Sequence, residues 1–264
     1  MTTFDIENSA FESKRMGDTV ILKYKENAFA LFLDVGIRNE YLKLVEAIKD
    51  SKEIKGSVTI NAPDFDDEAG FQTLLELVCG GSDSGSFDSR FKSETVISKF
   101  RDTIGKRMLS NIAMTKPQVV GVQGDATSEY LGLILCNDAR FATPDTRFIF
   151  KNASWGLPVS PGLSYFLPRF IGQGKALEFI HHSKELTAEE ALSLGLITDI
   201  VTHDQLQDRC LKEVEMLSNE PANVAVVNRM LVNPDVSELE RYLERYYSAV
   251  VKSGYKLYGH KPLK

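Results

Sequence analysis

TKPQVVGVQGDATSEYLGLILCNDARFATPDTRFIF, residues 115–150, is the stretch on which the reading of this chain turns. Lys116-Pro117 introduces a β-rich run, Gly121 and Gly124 bracket its end, and Thr127/Ser128 stand where a helix N-cap belongs. A strand that feeds a helix start leaves backbone N–H groups pointing above the sheet, a good place to bind an oxyanion or a phosphate. The apolar run LGLILC then reads as a short helix with Cys136 as a small core residue, and a second short strand follows.

Working back from this stretch, residues 19–24 and 29–33 read as two strands joined by the turn Lys25-Glu26-Asn27. Leu42, Val45 and Ile48 recur at helical spacing over 39–52, and 57–61 reads as a third strand, so the chain opens as an α/β protein. The acid-rich run at 61–70, with Asp64, Asp66, Asp67 and Glu68, admits two readings. It is either a helix start favoured by the macrodipole, ahead of the apolar face Phe71, Leu74, Leu75 and Leu77, or a patch that binds a metal or raises a carboxyl pKa. Residues 79–90 form a Gly/Ser loop without the GK[ST] ending of a phosphate loop, which leaves a lid or a surface loop. Residues 94–114 carry the pattern of a long amphipathic helix.

Working forward, Trp155 to Gly162 is a Gly/Pro loop, and Thr187-Ala188-Glu189-Glu190 has the form of a capping box. Gly195 stops that helix, 196–201 reads as a short strand, and 205–218, 221–231 and 237–252 read as helices. His181-His182 lack a third ligand at metal spacing and read as exposed residues at a helix end. The tail carries Lys252, Lys256, His260, Lys261 and Lys264, a solvated end or a contact for an anionic group. This organisation predicts one core over 1–200 and a helical C-terminal region over 201–264.

The 264 residues suffice to bury a sizeable core, and 43% apolar with 26% charged residues is ordinary for a globular protein. A net charge of −6 argues against general nucleic-acid binding. Three cysteines at 79, 136 and 210 have no metal or disulfide spacing. With an N-terminal stretch lacking an apolar core and no run near the ~20 apolar residues of a membrane span, a cytoplasmic protein is expected.

The ordered segments KPQVVGVQG, NDARFATPDTRF, GLSYFLPRFIGQGKALEFI and TAEEALSLGLITDIV resemble the crotonase superfamily of enoyl-CoA hydratases and isomerases. No single motif is specific; the set, in order and at nearly the right spacing, is strong. The resemblance implies an α/β spiral of ββα units, the ClpP/crotonase fold, with a helical C-terminal trimerisation region. It implies an acyl-CoA or enoyl-CoA substrate, with coenzyme A as part of the substrate and no other cofactor or metal. Trimers or hexamers of the chain are the expected partners, without nucleic acid or membrane.

In that family two backbone N–H groups hold the thioester oxygen as it gains enolate charge, and nearby side chains move protons. The positions that match the donors are Asp67 and Glu129. Glu68, Tyr130 and Trp155 are expected against the substrate, and Tyr165 also stands where it could line an acyl pocket. The pattern departs where the hydratase acids belong, because Gly132 and Asn152 occupy those places. Asn152 retains hydrogen-bonding capacity only. Glu129 is then either a relocated general base or a first-turn acid on a site that has lost its reaction. Standard hydration is not expected.

Overall fold

The computed structural model describes residues 4–26, 34–66, 101–150, 152, 158–182, 185–219, 221–232 and 235–254. The expected strand at 29–33, the helix after Gly70, the Gly/Ser loop at 79–90 and the basic end of the tail lie outside these residues.

The main sheet has seven strands in the order β1 (Ile6–Glu7), β2 (Phe11–Met16), β3 (Thr19–Tyr24), β4 (Gly56–Asn61), β5 (Gln118–Val122), β7 (Ala139–Ala142) and β10 (Asp199–Ile200). From β1 to β3 the pairing is antiparallel, and from β3 to β10 it is parallel. A second sheet joins β6 (Asp125–Thr127), β8 (Arg147–Ile149) and β9 (Glu185–Thr187), and Asp66 bridges to Ala126 alongside it. Consecutive turns of chain therefore place a strand in each sheet, which is the ββα spiral.

Alternation along the parallel strands sends side chains to two cores. Val20, Leu22, Val120 and Val122 face inward onto α1 (Val35–Asp50), which buries Tyr41, Leu44, Val45 and Ile48, and onto α2 (Lys106–Ile112), which buries Met108 and Ile112. Ile21, Val58, Val119 and Phe141 face the other way, onto Leu206, Cys210 and Val214 of α7 (His203–Ser218). These three recur every fourth residue, so one helix stripe covers the outer face.

The helix expected over 94–114 contains, among its described residues, a π-helical turn at Arg101–Gly105 ahead of α2. The remaining helices are α3 (Ser128–Ile134), α4 (Pro161–Ile171), α5 (Gln173–His182), α6 (Ala188–Ser193), α8 (Ala222–Val232) and α9 (Val236–Gly254). The end of the Gly/Pro loop is already helix: Ser160 caps α4, its Oγ accepting from Leu163 N at 3.2 Å, and Pro161 occupies the first turn, where its missing N–H costs nothing. Helix α9 returns across the chain and packs on α2, α4 and the π-helical turn. Among the described residues no helix is long and apolar enough to cross a membrane.

Candidate functional site

The site begins where β5 ends. Gly124 has φ 70°, and a Cβ there would lie 1.9 Å from Pro63 O, so only glycine lets this turn pass so close to the loop after β4. That close passage brings β6 beside Asp66. The fully buried Asp66 carboxylate accepts from Thr127 N at 2.9 Å and from Thr127 Oγ1 at 2.7 Å. Thr127 is the N-cap of α3 as expected, but its hydroxyl is turned to Asp66 and not to the helix.

Glu129, in the first turn of α3, is buried and points inward. Its Oε1 accepts from Asn152 Nδ2 at 2.9 Å, and its Oε2 lies 2.9 Å from Ser128 Oγ and 3.4 Å from Thr127 Oγ1. Ser128 Oγ also bonds Asn152 Oδ1, and Asn152 Nδ2 reaches Pro158 O at 3.3 Å. Ser160 Oγ donates to Ser128 O at 2.7 Å, tying the start of α4 to the start of α3. Burial raises the Glu129 carboxyl above its ordinary pKa, against the opposing effect of the Ser128 and Asn152 hydrogen bonds.

Gly132 is a contact between helices. A Cβ on it would lie 2.7 Å from Leu163 N and 2.9 Å from Gly162, so α3 and α4 touch backbone to backbone there. The space a side chain at 132 would need is filled by main chain. Over α4 lies α9, whose Tyr246 hydroxyl donates to Val159 O at 2.7 Å and whose Tyr242 hydroxyl donates to Ser164 Oγ at 2.7 Å. Burial is the main cause that raises the Tyr246 phenol well above its ordinary pKa, with Tyr247 next, and Tyr246 lies close to Glu129.

Of the residues named from the sequence, Glu129 and Asn152 are brought into direct contact. Asp67, Glu68 and Trp155 lie outside the described residues. Tyr130, expected against the substrate, is placed in the aromatic core: its ring is 4.8 Å from Phe65 and 6.3 Å from Tyr24. The cavity it lines with Tyr24, Tyr41 and Arg107 holds about 30 Å³, room for about one water and not for an acyl chain. Tyr165 is also core, with its hydroxyl on Glu238 at 2.9 Å. His181 and His182 are exposed at the end of α5.

Sequence reasoning missed the parts played by Ser160 and Tyr246. The Ser-Pro-Gly run at 160–162 is a helix-start signal that was available; nothing local marks Tyr246. No group of three potential metal ligands occurs among the described residues. A separate groove of about 470 Å³ opens at the ends of β3, β4 and β5, where His203 sits between Asp145 Oδ1 (2.9 Å) and Gln123 Oε1 (3.0 Å).

Residues 76–253 match the family model described as enoyl-CoA hydratase/isomerase. The chain belongs to this family. A protein named "Probable enoyl-CoA hydratase EchA12" from Mycobacterium tuberculosis is 38% identical over 96 residues, 36% of this chain and 34% of that protein. The matched stretch thus spans about a third of that relative's length. The fatty acid oxidation complex subunit alpha of Pseudomonas syringae pv. tomato is 27% identical over 178 residues, 67% of this chain and 23% of the relative. Among solved structures, an enoyl-CoA hydratase from Bacillus halodurans superposes with a TM-score of 0.73 at 21% identity, covering 93% of this chain and 95% of that one. An enoyl-CoA hydratase/isomerase from Pseudoalteromonas atlantica gives 0.70 at 19%, with 94% and 92% covered. These likenesses establish the crotonase fold.

Proposed function

We propose that this family member acts on an acyl-CoA or enoyl-CoA thioester through an enolate, with Glu129 as the group that moves the proton. The backbone N–H groups of Asp67 and Glu129 would hold the thioester oxygen, and Asn152 would orient the Glu129 carboxyl. The observation that carries this reading is the inward Glu129 carboxyl, hydrogen-bonded to the residue that replaces a hydratase acid. With Gly132 packed against α4 and Asn152 unable to act as an acid, water-activating carboxylates are absent from both hydratase positions, which argues against standard hydration. Isomerisation, hydrolysis or carbon–carbon cleavage are the classes that remain.

A second reading, a thioester- or partner-binding protein without turnover, is favoured by one feature: both Glu129 oxygens are already held by neighbours, Oε1 by Asn152 and Oε2 beside Ser128. Incubating the protein and Glu129→Gln with a panel of enoyl- and acyl-CoAs, followed by mass spectrometry, separates the two. Turnover that falls about 10²–10⁴-fold in the variant supports the enzyme; binding of CoA thioesters without any product supports the second reading and sinks the first.

The assembly we propose is a homotrimer, alone or paired into a hexamer, supported by the family and by Val224, Val227, Leu231 and Val232 exposed on α8. A cytoplasmic location is supported by Cys136 and Cys210, both buried free thiols.

A further inference from the structure

The hydrogen inventory around Ser128 determines which partner holds a proton. Pro158 O can only accept, so the Asn152 amide must present Nδ2 to it and to Glu129 Oε1, which leaves Oδ1 facing Ser128 Oγ. An amide oxygen also only accepts, so the single Ser128 hydrogen lies on Asn152. Ser128 Oγ then offers only lone pairs to Glu129 Oε2, 2.9 Å away. Thr127 cannot supply the missing hydrogen, because its own is used 2.7 Å away on Asp66. If Glu129 were ionised and took the Ser128 hydrogen, Ser128 Oγ and Asn152 Oδ1 would meet as two oxygens with none between them.

We infer that Glu129 stands in the resting site as the neutral acid, its hydrogen directed to Ser128 Oγ, with Ser128 and Asn152 as the positioning residues that keep it there. The inference rests on the proposed thioester reading only for its use: Glu129 delivers a proton and does not take one. In that step, set in the carbon–carbon cleavage class, loss of CO2 from an α-carboxylated acyl thioester breaks a bond to Cα and leaves its electron pair as the enolate; the Glu129 O–H bond then breaks as the Cα–H bond forms. The negative charge passes from the thioester oxygen to Glu129, and a proton drawn from solvent restores the acid, so each CO2 released consumes one proton.

The ionisable groups that face Glu129 among the described residues are Asp66, across the Thr127 hydroxyl, and Tyr246 on α9. Neither carries a positive charge that would favour ionisation, and burial, the largest effect, favours the neutral acid over the opposing hydrogen bonds from the Asn152 amide and Glu129's own backbone N–H.

The test is the infrared difference between the full chain and Glu129→Gln at neutral pH, together with the melting temperatures of both from about pH 5 to about pH 9. The expected result is a protonated-carboxyl C=O band that Glu129→Gln removes. A carboxyl pKa raised by folding stabilises below the unfolded value and loses that contribution as pH rises through the folded value. Wild type should therefore lose ground to Glu129→Gln as pH rises, by about 3–5 °C per unit of raised pKa. Ser128→Ala, which removes an acceptor of the Glu129 hydrogen, should move that loss to lower pH.

A carboxylate band at neutral pH, a retained acid band in Glu129→Gln (which would assign it to Asp66), or a shift to higher pH in Ser128→Ala would each overturn the inference. A neutral Glu129 in a protein that converts no thioester would leave this inference standing and fail the proposed function. Turnover with an ionised Glu129 would do the reverse.

Discussion

At the scale of single residues, the departures from the family pattern are not all of one kind. Asn152 donates to the Glu129 carboxyl, whereas Gly132 lets α3 meet α4 backbone to backbone; under the proposed reading these two stand at the places of the hydratase acids. Restoring the family residue by Gly132→Glu should therefore not restore hydration. Its first side-chain carbon already overlaps Leu163 N, and forcing the helices apart should cost at least about 2 kcal/mol, a fall in melting temperature of about 4–8 °C. Thermal unfolding and an enoyl-CoA hydration assay check both halves; a stable variant that hydrates would mean the helix contact yields easily. The sequence pointed to Glu129 through its place in the turn that opens α3 and to Asn152 through the family resemblance, and the structure puts the two side chains in contact. The sequence could not reveal the role of Gly132, which depends on Gly162 thirty residues further on, or the direction of Glu129, which is set by Ser128, Asn152 and Pro158 together.

At the scale of elements, legibility followed the strength of the local signal. The buried parallel strands were readable because both faces are apolar, as in TVILKY of β3. The strand before it, FESKRM of β2, was not: only Phe11 and Ser13 face inward, and Ser13 is satisfied there by donating to Phe4 O at 2.7 Å. A half-polar strand of this kind is recognised by its partner, β3, more than by its own pattern. The capping box before α6 was readable residue by residue. Thr187 Oγ1 accepts from Glu190 N at 3.2 Å and Glu190 Oε2 accepts from Thr187 N at 2.9 Å. Because Thr187 also ends β9, Thr187→Ala should loosen helix and strand together. A loss of about 1 kcal/mol is expected, read as a fall of about 2–4 °C in melting temperature with thioester turnover unchanged. A wild-type melting temperature in this variant would show that β9 alone holds the junction.

At the scale of the whole molecule, the feature that no local pattern announces is the return of α9 over the site. Glu238 accepts from Tyr165 Oη at 2.9 Å and Arg169 Nη2 at 2.6 Å, but its ion pair with Arg169 is half exposed on both sides and adds little. The contacts that bear on chemistry are those of Tyr242 and Tyr246, because they cover the start of α4 beside Glu129. If this cover keeps water from Glu129, removing one ring should act on the acid from a distance. Tyr246→Ala should admit water, lower the raised Glu129 pKa towards its ordinary range, and cost about 2 kcal/mol of stability through lost packing. The sign follows from burial, which penalises the charged form; hydration relieves that penalty. The pH at which wild type stops losing stability relative to Glu129→Gln should thus fall when both carry Tyr246→Ala, because the loss runs from the unfolded to the folded pKa. Tyr246→Phe, which keeps the ring and loses only the bond to Val159 O, should leave that pH in place while lowering the melting temperature slightly. Melting curves of the four chains across pH measure it. An unchanged midpoint in Tyr246→Ala would mean that α3, α4 and the loop at Asn152 bury Glu129 without help from α9.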